Sequence, residues 1–308
     1  MDVDLNEFDI FYNDKLAAAI DKLKPEYDAA DVWKYAAIFS FIVFMASGIL
    51  AMIFHFDGCG PIIVIAVITG IVSLVKYTKK NDIYTDDYKS TLITEIMQHL
   101  CPGMTYVPGD CVAEQEYDAS SLFRWYNDNY YGSNYMEGIH AKVPFHCSEL
   151  KTVYENNAVI FKGLFFVAQL NSAFTSGTYV WSNNFIQLPT TMMDEKYRMV
   201  PMPDVNPFAI DNASFNDDFS VYTTSAAESS YILTEERIQQ IVNFKRKYKT
   251  DVALSFVAGK CYVAMAAAED LLDPTGIEPS DKDVLIKYYF TITTILDIID
   301  RLQLNELI

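Results

Sequence analysis

Along the chain, the pattern of apolar and polar positions changes three times. Residues 5–27 place Leu16, Ala19, Ile20 and Leu23 at helical spacing, which predicts a short amphipathic helix. Residues 35–56, YAAIFSFIVFMASGILAMIFHF, are then apolar on every face, with only Ser40, Ser47 and His55 as polar interruptions. At about 1.5 Å of rise per residue, a helix of this length crosses roughly 30 Å of hydrocarbon. Residues 61–77, PIIVIAVITGIVSLVKY, form a second apolar run, and Pro61 suits a first helical turn. Two such runs joined by a four-residue turn predict a transmembrane hairpin over 35–77. The first run begins too late, and is too long, for a secretory signal peptide.

Beyond the hairpin, TDDYKSTLITEIMQHL reads as a helix that starts at Thr85 and stops before Pro102 and Gly103. From Met104 the period falls to two. HAKVPF, AVIFKGLFFVAQL, TYVWS and FSVYTT are rich in branched and aromatic residues and read as strands. LTEERIQQIVNFKRKY returns to helical spacing, with Thr234 as cap, Glu235 and Glu236 at its positive end and Lys245, Arg246 and Lys247 at its negative end. DVALSFV and KCYVAMA predict a hairpin turning tightly at Ala258 and Gly259. In residues 281–304, Leu285, Tyr288, Ile292, Ile295, Ile299 and Leu302 recur every three or four positions, the mark of a long helix packed along one face.

The predicted fold class is α+β: a transmembrane helical hairpin, then a mainly antiparallel sheet with edge helices and a long C-terminal helix. The domains expected are an N-terminal segment 1–34, the hairpin 35–77, a linking helix 78–103 and an α+β domain 104–308. Residues 199–218, rich in Pro and Asn, are the candidate for a mobile insert.

Charge fixes an orientation. Lys22, Lys24 and Lys34 precede the hairpin, Lys76, Lys79 and Lys80 end or follow it, and DGCG between the spans has no cation. The positive-inside tendency therefore places both termini in the cytoplasm and Cys59 on the far side. No charge lies deep in either run, which argues against an ion pathway. Ala46, Ser47, Gly48, Thr69, Gly70 and Ser73 would let the two spans pack closely. A net charge of −18 argues against nucleic acid as a partner. Five cysteines, odd in number and irregularly spaced, suit a reducing compartment better than a disulfide framework.

The stretches CPGMTYVP, YGSNYMEG, FHCSEL, IFKGLFFVAQLNSAF, YILTEERIQQI, SFVAGKCYVAMA and DIIDRLQLNELI, from residue 101 onward, resemble the uncharacterised bacterial domain-of-unknown-function family numbered 3137. The resemblance implies two N-terminal transmembrane helices, a cytosolic domain and a place in the bacterial cytoplasmic membrane. It supplies no catalytic motif. The chain departs from the expected Phe-Ser-Glu order at Phe145, His146, Cys147, Ser148 and Glu149.

Candidate chemistry is sparse. His99, Cys101, Cys111, His140, His146 and Cys147 are of zinc-ligating type but lack paired-knuckle spacing, and neighbours on a strand point to opposite faces. No nucleophile elbow or phosphate-cradling glycine loop is present. The carboxylate pairs Asp217–Asp218 and Glu269–Asp270 read as solvated surface, and the basic run 244–249 as a helix end. No catalytic, cofactor-binding or metal residue is assigned and no cofactor is expected. The aromatic stretch 123–138 offers Trp125, Tyr126, Tyr130, Tyr131 and Tyr135 as partner contacts, with packing on a sheet face as the competing reading. The chain thus reads as a membrane-anchored cytosolic binding or scaffold protein with the bilayer and a protein as partners. The alternative is an enzyme or transport-accessory subunit whose site forms only in three dimensions.

Overall fold

The structure is a computed structural model; it describes residues 5–54, 57–123, 125–155, 158–170, 175–185 and 205–308. It divides into two compact units: the residues up to Ile96 with Asp273–Lys287, and Met97–Leu272 with Tyr288–Ile308.

The first unit is helical. Helix α1 (Leu5–Phe11) passes through a wide turn, Tyr12–Leu16, into α2 (Ala17–Phe54). A 3-10 turn, Asp57–Cys59, leads to α3 (Gly60–Tyr88), and a second wide turn, Lys89–Ile93, to α4 (Thr94–Leu100). The amphipathic segment and the first apolar run are therefore one helix rather than two. Pro25 does not break it, because Pro25 and Asp21, whose carbonyl loses its partner, both lie at exposed positions where water substitutes. Thr85 starts no helix either. It lies inside α3, because Tyr84, Tyr88, Leu92, Ile93 and Ile96, all fully buried, carry one continuous stripe past it. Tyr84 donates to the Ile277 carbonyl at 2.5 Å, and its ring packs against Tyr27 and Tyr88.

Within the apolar runs the burial pattern reverses. Phe39, Phe41, Met52, Ile65, Ile71 and Val75 are 58–80% exposed, while the contact between α2 and α3 is lined by Ser40, Ser47, Ala66 and Ser73. Ser40 Oγ and Thr69 Oγ1 lie 3.2 Å apart, and Gly70 closes on the Ser40 side chain. Ser47 and Ser73 meet the expectation of small-residue packing; Ala46 is exposed and Gly48 faces open space. The contact follows every seventh residue (40 and 47, 66 and 73), the repeat that keeps one helical face on its partner.

The second unit is built on one antiparallel sheet. Its strands are β1 (Thr105–Val107), β2 (Asn129–His140), β3 (Val143–Tyr154), β4 (Ala158–Gln169), β5 (Thr178–Ser182), β6 (Asn206–Pro207), β7 (Phe219–Thr223), β8 (Val252–Val257) and β9 (Lys260–Ala266). Among the described residues the order is β1-β2-β3-β4-β9-β8-β5-β7-β6. Between strands run α5 (Glu114–Ala119), α6 (Ala213–Asn216), α7 (Ala226–Ile232) and α8 (Glu235–Tyr248), and α9 (Lys282–Arg301) follows the last strand.

Most strands sit where the period of two places them, and the β8–β9 turn uses Ala258 and Gly259 at φ 50° and 73°. HAKVPF is split by a turn: Ala141 and Lys142, at φ 48° and 71°, join β2 to β3, and only Val143–Phe145 open the new strand. These left-handed angles normally select Gly or Asn, so the sequence carries no turn signal there. Of the candidate insert, 199–204 lies outside the described residues, while Asn206–Pro207 and Ala213–Asn216 form β6 and α6. Gly163, at φ 152°, sits where any Cβ would collide with the Met265 carbonyl oxygen, so only glycine lets β4 and β9 pair there.

Alternation gives the sheet two faces. Leu150, Phe165, Val167, Tyr262, Ala264 and Ala253 point to one and are covered by the segment 111–125, including Val112, Tyr117, Leu122 and Phe123. The segment is strapped down by polar bonds: Val112 N–H to Ser148 Oγ at 2.9 Å, Ser255 Oγ to the Ser120 carbonyl at 2.7 Å, and Trp181 Nε1 to the Leu122 carbonyl at 3.1 Å. Phe145, Cys147, Phe166, Cys261, Val263, Leu254 and Phe256 point to the other face. There the apolar stripes of α8 (Ile238, Ile241, Val242) and α9 (Tyr288, Ile292, Ile295, Ile299) are also buried. Thr234 caps α8 as its sequence predicts, accepting from Arg237 N–H at 3.2 Å.

Arg237, 1% exposed, donates to the carbonyls of Ile232, Leu302 and Gln303 and lies 3.4 Å from Glu306. It ties the ends of α7 and α9 together with a planar fork that lysine lacks. Arg237→Lys is expected to cost roughly 2–4 kcal/mol, because a point charge leaves buried carbonyls unpaired. A thermal melt of the full chain in detergent measures this as a lowered midpoint.

Candidate functional site

The covering segment leaves part of the first sheet face open. Alternation aligns Glu137, His146 and Val167 on neighbouring strands, with Gln169 beside Lys260 one step along. These residues, with Thr105, Ile139 and Pro144, line a cleft of about 480 Å³. From α5, Glu116 reaches two of these lining side chains, His146 and Lys260. One carboxylate oxygen lies 2.5 Å from His146 Nε2, and the other accepts from Lys260 Nζ. The three side chains are about a quarter exposed, so this ion cluster faces the cleft rather than the core. The Tyr135 ring stands 6.0 Å from that of His146, and its hydroxyl donates to Glu137 Oε2 at 3.0 Å. Burial, then the neighbouring Glu137, push the Tyr135 hydroxyl up to about 12, so it remains a donor. Burial opposes ionisation of Glu116, but the bonds from Lys260 and His146 outweigh it and hold the carboxyl below its usual range.

The five aromatic candidates do not share one surface. Tyr130 packs edge-on against Tyr117 and donates to the Val112 carbonyl at 2.7 Å, and Trp125 packs against the same core beside Tyr154. Tyr126 and Tyr131 are 53% and 54% exposed. Tyr131 follows Tyr130 on β2, so it points to the opposite face, where it borders a hollow with Glu149, Lys151, Lys162 and Asp270. Tyr135 contacts His146 and Glu137, two of the residues that line the cleft.

The zinc-type residues are likewise dispersed. His140 pairs with Asp300 at 2.9 Å, His146 with Glu116, the Cys101 thiol approaches the Ile139 carbonyl, and Cys147 is buried on the far face. Among the described residues no group of three His, Cys, Asp or Glu side chains could hold a metal. Asp218 is paired with Lys245 at 3.1 Å and Asp270 with Lys162 at 2.9 Å. The basic run is neutralised within the domain. Lys245 and Arg246 lie beside Asp218, and Lys247 bonds Asp297 at 3.1 Å. Buried Asp297 also accepts from Tyr248 at 2.6 Å and from Arg301 at 2.5 Å; burial opposes its charge, and these bonds still keep it well below the carboxylate range.

A two-helix apolar hairpin and an antiparallel α+β sheet domain together define the class of protein. Residues 159–304 match the model of the family described as protein of unknown function, DUF3137, which is the family that the sequence motifs resemble. No curated protein matches the chain. Among solved structures, the mycobacterial trehalose monomycolate transport factor A, TtfA, is similar over 70% of this chain and 93% of that chain, at 10% identity and a TM-score of 0.34. Likeness at that level carries no functional argument.

Glu116 provides a pH-dependent test of the cluster. A carboxyl with a lowered folded-state pKa stabilises the fold above its unfolded value, near 4.5, and that contribution is lost as pH falls through the folded value. The wild-type melting temperature is expected to exceed that of Glu116→Gln at pH 6, with the gap closing as the pH drops below 4.5. A gap independent of pH would mean that the carboxylate charge is not what holds α5 down.

Proposed function

We propose that this protein is a membrane-anchored binding protein, with residues 35–77 in the bacterial cytoplasmic membrane, both termini cytoplasmic, and residues 104–308 forming the domain that meets a protein partner. The observation that carries the anchor is the apolar, outward-facing surface of residues 35–53 of α2 and 62–75 of α3, where large aliphatic and aromatic side chains such as Phe39, Met52, Ile65 and Val75 are exposed. A soluble core helix with that composition would be covered.

The lower edge of this belt is marked by chemistry. Lys76 Nζ lies 4.0 Å above the Trp33 ring, pairing the two helices at one level with an aromatic and a cation, the residue types that anchor at a bilayer interface. From Trp33 to the end of α2 at Phe54, a helix rises about 32 Å, which matches a hydrocarbon core of about 30 Å. Lys34, Lys76, Lys79 and Lys80 at this edge support placing it in the cytoplasm.

Binding is favoured over catalysis because the cleft holds a charge cluster already closed on itself: Glu116 satisfies both His146 and Lys260. Exposed Tyr126 and Tyr131, and Tyr135 beside His146 and Glu137, remain the contact residues proposed, while Trp125 and Tyr130 also serve the core.

Topology tests the anchor. Cys59 is only 2% exposed and is a poor reporter, whereas a side chain at Gly60 would meet open space. In a variant with all five cysteines replaced, Gly60→Cys is expected to react with a membrane-impermeant thiol reagent on intact cells. Ile139→Cys, at a 66% exposed position, is expected to react only after lysis. The opposite labelling would reverse the orientation, and release of the chain by alkaline carbonate would refute the anchor.

A further inference from the structure

The stretch of chain that supplies two of the cleft's strands is acidic. Residues 104–141, which supply β1, α5, β2 and the covering segment, contain six carboxylates, Asp110, Glu114, Glu116, Asp118, Asp128 and Glu137, against the single cation Arg124. Inside the cleft Lys260 is paired with Glu116, and Glu137 has no ion-pair partner among the described residues. Its Oε2 accepts from Tyr135, and its Oε1 has no hydrogen bond among the described residues. Gln169 is similarly placed: its Nε2 donates to the Leu170 and Gly259 carbonyls, leaving its carbonyl oxygen as an acceptor. Ile139, Pro144 and Val167 supply apolar wall and floor.

An apolar trough ending in a carboxylate and an amide oxygen suits one kind of group: a cation on an alkyl stem. We infer that the cleft binds a lysine or arginine side chain of a basic polypeptide segment, with the stem along Ile139, Pro144 and Val167 and the charged head at Glu137 and Gln169. A volume of about 480 Å³ takes one such side chain with its flanking backbone. The net charge of −18 draws basic segments toward the chain and, between charges separated by more than a Debye length, does so in a salt-dependent way. This inference rests on the binding reading and names the chemistry of its partner.

The test uses the full chain in zwitterionic nanodiscs and a fluorescent peptide of alternating lysine and serine, beside its glutamate counterpart. Binding of the lysine peptide alone is expected. Glu137→Gln is expected to weaken it by about tenfold, while Glu236→Gln, which removes one charge at the start of α8, changes it by less than about twofold. Equal weakening by both substitutions would show that only diffuse net charge attracts the peptide and would overturn the cleft assignment. So would unchanged binding to Glu137→Gln that retains the wild-type melting temperature. Spermine bound in place of the peptide would overturn the polypeptide assignment in favour of a small polyamine. Failure of every ligand would overturn the cationic assignment, yet leave the thiol-labelling pattern at Gly60 and Ile139 as it was, so the anchor and the ligand fail separately.

Discussion

Two helices packed side by side cannot cover their own circumference, and in α2 and α3 that circumference is apolar. Their mutual contact uses the small residues Ser40, Ser47, Ala66 and Ser73, so it brings the backbones close while burying few large side chains. The bulky residues all face outward. At about 25 cal/mol for each Å² of apolar surface, leaving such a belt in water is costly, and a lipid environment removes the cost without any further protein. Below Trp33 and Lys76 the same two helices switch to a one-sided pattern, with Ala19, Ile20 and Leu23 of α2 and Tyr84 and Tyr88 of α3 buried. One continuous helix therefore carries two solvents' worth of patterning, and the Trp33–Lys76 pair stands where one gives way to the other.

The sheet domain solves a different problem, which is covering two apolar faces. On one, α8 and α9 bring long apolar stripes. On the other, a mostly irregular segment does the work, and irregular backbone needs its polar groups paired; hence the bonds from Ser148, Ser255 and Trp181. Because the segment is shorter than the sheet is wide, the ends of β2, β3, β4 and β9 remain open, and Glu116 pins the nearest edge of the cover to His146 and Lys260. The cleft is thus a product of incomplete coverage, floored by a rigid sheet and walled by an acidic strap.

Much of this was readable from periodicity. The apolar runs, the stripe of α9, the Thr234 cap and the β8–β9 turn each depend on residues close in sequence. Thr85 misled for the same reason: the local cap signal favours a helix start there, but a tertiary stripe running past it settles the matter. The turn at Ala141 and Lys142 left no trace because neither residue type favours a left-handed backbone. In the aromatic stretch, composition showed adhesive potential, but the alternation of β2 sends Tyr130 and Tyr131 to opposite faces, which only the strand assignment shows. The cleft was the least legible part. Its ion cluster joins Glu116 to residues 30 and 144 positions away, and no spacing rule connects them.

The account stands or falls on the depth of α2 in lipid. Single spin labels can be placed along its exposed face in reconstituted bilayers, from Lys22 through Ile38, Phe41 and Met45 to Met52, and their collision with oxygen compared with that of a water-soluble nickel reagent. The account predicts that oxygen access is low before Trp33, rises beyond it, peaks near Met45 and declines toward Met52, with nickel access following the reverse profile. Nickel access as high at Phe41 and Met45 as at Lys22 would place the belt in water and contradict a membrane anchor.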